Sequence, residues 1–286
     1  AGETSRIRLG TSIVSIWGHD AQTSRMAAMT LQEATGGRFV LGLGVSHAHL
    51  AERLRGHTYD RPLTRMREYL AAYRSAVYRG PMLDDGDEPP VLVAALRERM
   101  LGLAATEADG AFPYLITPER VAWTRGVLDA ETASAARPRP VLAVSMPAVL
   151  ESDPDAARAT ARAYLAPYLR TPNYQACWAE QGFAEVDWEK PGSDRLVDAM
   201  VARGDAGARA VDRTVAAAHA LSQDLAGHSA ASGRIRGDMA AGAHPDGVRR
   251  GRAGDERQTL LENDGLTMRA TTARESSRRP PRSTGP

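Results

Sequence analysis

Three short stretches hold the residues whose types and spacing could do chemistry. The first is Gly42-Leu43-Gly44-Val45-Ser46-His47. Glycines let a ligand or another stretch of backbone approach closely, and packing inside a sheet explains Gly42 and Gly44 equally well. His47 sits just past the end of this apolar run. With an ordinary pKa of about 6.5, an imidazole there can donate to a cofactor or substrate oxygen in either protonation state; a loop histidine capping the next segment is the plain alternative. His19, His49 and His57 read as exposed loop residues. The second stretch is Ala94-Ala95-Leu96-Arg97, where an apolar run passes into a helix. Helix starts carry free N–H groups and a partial positive charge, which suit phosphate. Arg97 either pairs with such a phosphate bidentately or blocks close backbone approach by its bulk. Ser15 and Ile16 close a third apolar run and, as residues, read as an ordinary strand exit.

The remaining candidates are weaker. Asp60 is expected to cap the helix that follows it. Asp109 falls in a turn and Glu151 at a strand end, and one carboxylate without a partner is no acid–base pair. No His or carboxylate pair has metal-ligand spacing on a clear element, so no metal site is expected. Cys177 is the only cysteine, which excludes an internal disulfide and a cysteine metal cluster and fits a reducing, cytoplasmic setting.

Strand and helix patterns alternate around these residues. Arg6–Ile16, Arg38–Val45, Val91–Leu96, Ala111–Ile116 and Val141–Leu150 read as strands. Arg6–Ile16 is rich in Ile, Val and Leu, and Arg38–Val45 is a nearly continuous apolar run, as strands covered on both faces require. Helices are expected over Ala21–Ala34, ended by Gly36-Gly37, and after Asp60, with Leu63, Met66, Leu70, Tyr73 and Val77 on one face. Further helices are expected over Arg97–Asp109, from Thr117 as cap to about Ala130, and from Asp153-Pro154 to Tyr164. Five strands separated by helices imply an α/β protein with a parallel sheet. From Thr171 to Gly192 the pattern loosens, with Trp178 and Trp188 suggesting a packed insertion, and Ser193–Ala202 reads as one more capped helix.

Composition bounds the function. The 286 residues are 43% apolar and 25% charged, as in an ordinary soluble domain, and the net charge of +1 points to neither nucleic acid nor an anionic membrane. No apolar run of about 18 residues and no signal-peptide pattern is present. All 36 basic residues except Lys190 are arginine, a skew that GC-rich coding produces and charge chemistry does not require. The chain divides into 1–205 and an Ala/Arg/Gly/Ser-rich tail over 206–286, whose end, Arg274–Pro286, is expected to be disordered. An Arg-rich nucleic-acid-binding tail is a weak reading, since its charges are mixed and it lacks stacking aromatics.

The strings SRIRLGTSIVSI, GGRFVLGLGVSH, YDRPLTRMREYLAA and PPVLVAALRERMLGLAATEADGAFPYLITPER, in this order and spacing, resemble the luciferase-like monooxygenase superfamily, in particular its branch that uses the deazaflavin coenzyme F420. The resemblance covers about Thr4 to Gly204. It implies a (β/α)₈ TIM barrel, incomplete here, in which the five strands correspond to the third to seventh. The last of them then lacks a partner unless the tail supplies one. It implies coenzyme F420 as cofactor, with FMN as the alternative, and hydride transfer to or from a small organic substrate. By carry-over, Ser15 and Ile16 would back the cofactor ring at a bulge with a non-proline cis peptide. Gly44, Ser46, Ala94, Ala95, Leu96 and Arg97 would line the cofactor, the last four at its phosphate, where the family has a glycine in place of Arg97. His47 is the candidate catalytic residue, to orient or protonate the substrate. A small-molecule substrate and a homodimer are the expected partners, with no nucleic acid and no membrane. The alternative is a non-catalytic, truncated product that cannot close its barrel.

After about Asp205 the sequence departs from the branched apolar strand the family would supply, as a shifted reading frame would make it do. Translating the gene beyond codon 205 in another frame is expected to yield a helix, a Val/Ile-rich strand and a terminal helix. Early stops in both other frames would make the tail a genuine extension.

Overall fold

The computed structural model describes residues 5, 7–83, 88–135, 137–149, 151 and 153–203. The first expected strand is split into β1 (Leu9–Gly10) and β2 (Val14–Ser15), with a cis peptide between Ser12 and Ile13 in the gap. Both halves run parallel to β3 (Phe39–Gly44), Leu9 opposite Phe39 and Val14 opposite Leu43. On the far side of β3 follow β4 (Val91–Val93), β5 (Gly110–Ala111) and β6 (Val141–Leu142), every pairing parallel. Helices α1 (Ala21–Ala34), α2 (Pro62–Ser75), α3 (Glu98–Glu107) and α4 (Pro118–Ala135) make the crossovers. The result is a curled parallel sheet of five strand positions, an incomplete TIM barrel.

Local chemistry explains the element ends. The Asp20 carboxylate accepts from the Thr23 amide and caps α1, while Gly36 and Gly37, both at positive φ, end it. The Thr117 hydroxyl accepts from the Arg120 amide at the start of α4. The expected Asp60 cap of α2 is a correction. Arg61 holds the cap position with a left-handed backbone and no side-chain cap bond, because the Asp60 carboxylate is turned to Arg65 and Arg61 instead. Pro62 then opens the helix, where its missing N–H costs nothing.

Val141–Leu150, expected as one strand, also divides. Its second part, β7 (Ala148–Val149), pairs in parallel with β8 (Ala202–Arg203). The partner expected to be missing is therefore supplied from just before the tail, and the last expected helix stops at Met200 to make it. Between β7 and β8 lie α5 (Pro154–Leu165), a 3₁₀ turn (Tyr168–Arg170), α6 (Pro172–Ala179), α7 (Glu185–Trp188) and α8 (Asp194–Met200). Asp153 and Ser193 cap α5 and α8 through their side-chain oxygens. The tail over 206–286 lies outside the described residues. No helix among those described is long and apolar enough to cross a membrane.

The core runs along β3 and β4, where Leu43 and Val93 are fully buried. It continues through Leu101 and Ala104 of α3 to Val121 and Leu128 of α4. Gly42 matters to this arrangement for a steric reason: a Cβ there would lie 2.1 Å from the Thr11 carbonyl oxygen. A Cβ on Gly44 would lie 2.6 Å from Cδ1 of Ile13. Gly42→Ala is expected to destabilise the fold by about 1–3 kcal/mol, because backbone, not a pliable side chain, is in the way. Gly126→Ala in α4, where the added carbon meets nothing within 4 Å, should instead stabilise by up to about 1 kcal/mol. Urea unfolding of the two variants checks the pair, and equal midpoints would discount the close crossing at Thr11.

Candidate functional site

The C-terminal ends of β2, β3 and β4 bring three of the sequence-predicted stretches together. Ser15 stands opposite Gly44 in register, and the Ile16 amide donates to the Gly44 carbonyl at 3.0 Å. A Cβ on Gly44 would also lie 3.3 Å from Cβ of Ala94. The Ala94 amide continues the ladder to the Leu43 carbonyl at 2.8 Å. Ser15, Ile16, Gly44 and Ala94 thus form one patch across three strand ends. The non-proline cis peptide expected near Ser15 and Ile16 lies at Ser12–Ile13, and the Ile13 side chain fills the space that Gly44 leaves.

The loops after β2 and β3 are tied by Trp17 and Tyr59, which no local sequence pattern marks. The Trp17 indole N–H donates to the Val45 carbonyl at 2.8 Å, and its ring packs against His57 and Tyr59. The Tyr59 hydroxyl donates to the carbonyl of Ser46, whose φ is 56°. This ties down the chain just before His47. The His47 ring stacks on His49 at 6.0 Å and tilts against Tyr174 at 5.7 Å. Burial, and then the charge of His49, hold its pKa below the ordinary value, so near neutral pH it is an uncharged imidazole. His19, His49 and His57 are exposed.

The loose segment after Thr171 forms a cover over the ends of β4 and β5. The buried Trp178 donates its indole N–H to the Leu115 carbonyl at 3.1 Å, and the Thr117 amide donates to the Gln181 side chain at 2.9 Å. Tyr174, Tyr168, Tyr164 and Tyr114 continue from Trp178 as a run of ring contacts, with the Tyr114 and Tyr164 hydroxyls hydrogen-bonded. Burial raises the pKa of Tyr164, Tyr168 and Tyr174, that of Tyr164 to about 12, so all stay protonated and neutral. The sequence signal for this wall is the crowding of Tyr and Trp between Tyr164 and Trp188.

At the turn after β4, Ala95 and Leu96 are buried, and the Leu96 carbonyl accepts from the Arg120 guanidinium at 3.0 Å and faces the Cys177 sulfur. Arg97 is exposed, with its Nε donating to Oε1 of Glu180 at 2.7 Å. Arg120 holds the other oxygen, Oε2, at 2.5 Å. Burial opposes ionisation of Glu180, but the bonds from Arg97 and Arg120 outweigh it and keep its pKa below the ordinary carboxylate value. Burial pushes the Cys177 thiol up to about 11, so it is no nucleophile at neutral pH. Asp109 binds the Val91 amide at the opposite, N-terminal end of β4 and lies outside the site. Glu151 is exposed and accepts from the Asp153 amide.

The sequence profile of the luciferase-like monooxygenase family matches residues 1–220. The chain belongs to this family. The match continues past Gly204, where the resemblance had been expected to end. A Mycobacterium tuberculosis protein provisionally named as a coenzyme F420-dependent oxidoreductase is 30% identical over 143 residues, 40% of this chain and 41% of that protein. The 5,10-methylenetetrahydromethanopterin reductase of Methanolobus tindarius is 25% identical over 73% of this chain and 66% of its own. The chain therefore spans between about two fifths and two thirds of these relatives. Among solved structures, an F420-dependent secondary alcohol dehydrogenase superposes with a TM-score of 0.58 at 14% identity, covering 76% of this chain and 72% of that one. The oxygenating constituent of 3,6-diketocamphane monooxygenase from Pseudomonas putida, bound to FMN, gives 0.54 at 16%, covering 76% of this chain and 72% of that one. These likenesses establish the shared fold.

Burial of neutral His47 has a consequence for stability. Its folded pKa lies below the ordinary imidazole value of 6.5, so the unfolded chain binds its proton more readily. Stability from this residue is full above pH 6.5 and falls as the pH drops through 6.5 toward the folded value. His47→Gln is expected to reduce the loss of stability between pH about 7.5 and about 5.5. Urea unfolding at both values measures it, and an undiminished loss in the variant would place the pH sensitivity elsewhere.

Proposed function

We propose that this chain is an oxidoreductase that transfers a hydride between deazaflavin F420, or a flavin acting with O2, and a small organic substrate. The observation that carries the reading is the joining of two features at one end of the sheet. One is the small-residue patch of Ser15, Gly44 and Ala94; the other is an arginine pair, Arg97 three residues beyond Ala94 and Arg120 from α4, that already holds an oxyanion. The Glu180 carboxylate in that pair stands in for the phosphate oxygens of a cofactor, and two guanidiniums are a donor set that suits phosphate. The family and the F420-dependent names among its relatives support the same reading.

When bound, the ring of such a cofactor supplies or accepts the hydride. Arg97 and Arg120 would hold its phosphate, and the strand-end patch of Ser15, Ile16, Gly44 and Ala94 would face the ring. His47, neutral and fixed between His49 and Tyr174, would orient a substrate oxygen and pass a proton to or from it. Tyr174, Tyr168 and Trp178 would exclude water from that end of the sheet.

Fluorescence titration of the full chain with F420 and, separately, with FMN tests the reading. Binding of one of them at about micromolar concentration is expected. His47→Gln should lower turnover with little effect on that binding. Binding of neither cofactor would favour the non-catalytic alternative, and light scattering on the same preparation distinguishes a homodimer from a monomer.

A further inference from the structure

Two arginines from different elements close on a single carboxylate. Arg120, in the first turn of α4, has a side chain only 6% exposed, and its guanidinium lies 3.5 Å from the ring centre of Trp123. It donates to the Leu96 carbonyl and to Glu180, while its Nε has no partner. A guanidinium cannot shed its proton to relieve such burial, so it requires an anion. Glu180 supplies one, reaching in from the residue after α6 with a side chain that is still 36% exposed. Arg97 binds its second oxygen beside the start of α3, which has no side-chain cap.

We infer that Glu180 is an internal competitor for an anion seat, and that a phosphate-bearing ligand displaces its carboxylate from Arg97 and Arg120. The inference rests on the proposed cofactor only for the identity of the natural phosphate carrier. With Glu180 in place the trio keeps one net positive charge. A phosphate brings up to two negative charges and an additional oxygen, which suits the unpartnered Nε of Arg120. Displacement requires no unfolding of the cover. Its backbone is held on both sides of Glu180, by Trp178 on the Leu115 carbonyl and by Gln181 on the Thr117 amide. Only the Glu180 side chain has to turn out toward the solvent that it already meets. The Arg97–Glu180 half of the trio is largely exposed and so weak enough to exchange, and Arg120 is never left without an anion because the phosphate takes the place of the carboxylate.

Calorimetric titration of the full chain with inorganic phosphate, in low-salt buffer, tests this. Glu180→Gln keeps the size of the side chain and removes its charge, and is expected to tighten phosphate binding roughly five- to tenfold. That gain should shrink when the substitution is made on an Arg97→Gln or an Arg120→Gln background, because the contested seat is then gone. Having both backgrounds guards against misfolding from loss of the buried Arg120. Unchanged or weaker phosphate binding in Glu180→Gln would overturn the inference. So would an equal gain on the arginine-deficient backgrounds, which would make Glu180 merely a nearby negative charge. Phosphate tightening without any F420 or FMN binding would sustain the seat and remove the cofactor reading. FMN binding that Glu180→Gln changes no more than it changes riboflavin binding would do the reverse.

Discussion

The absence of side chains at Gly42 and Gly44 is the constraint on which the rest of the site depends. β3 carries the strand-end patch, paired with β1 and β2 on one side and β4 on the other. The chain between β1 and β2 leaves the sheet and returns, and its Thr11 carbonyl and Ile13 side chain occupy the space that a Cβ at 42 or 44 would need. The Thr11 hydroxyl completes the crossing, donating to the Gly42 carbonyl and accepting from the Gly42 amide, each at 2.9 Å. Because this crossing is tight, Ser15 is brought opposite Gly44, and Ala94 borders the same point from the other side.

A strand end of a parallel sheet leaves backbone groups that the ladder no longer satisfies, and buried ones need partners. The cover formed by the 3₁₀ turn, α6 and the residues that follow meets this need at the ends of β4 and β5. Trp178 satisfies Leu115 and Gln181 satisfies Thr117, while from the sheet side Arg120 satisfies Leu96. The same cover brings Tyr174 against His47. Polar satisfaction and the shape of the site therefore come from one set of contacts, and a change at Trp178 would disturb both.

The arginine-rich charge pattern divides by burial. Arg158, Arg162 and Arg203 pair with Asp194 and Asp198 across α5, α8 and β8, on carboxylates that are substantially exposed and so add little stability apiece. They set the register of the β7–β8 lobe more than its strength. Arg120 differs because its charge is sealed from solvent, and whichever anion meets it is held by need.

What the sequence determined by itself was the order of elements and their type. Continuous apolar runs and paired glycines announced strands and helix ends, so α1 lies over Ala21–Ala34 as expected and the parallel α/β order was legible, because periodicity and caps are local properties. The patch of Ser15, Gly44 and Ala94 was legible for a related reason, since strand ends in a parallel sheet gather on one side. Contacts between segments far apart in sequence leave no local trace, and tertiary structure alone decided those. It split Arg6–Ile16 at Ser12–Ile13, turned Asp60 from a cap to a partner of Arg65, and gave β7 the partner β8. It also placed Glu180, 83 residues from Arg97 along the chain, on the turn where phosphate was expected. A carboxylate so far away in sequence meets that guanidinium only because α6 folds over the strand ends to bury Trp178.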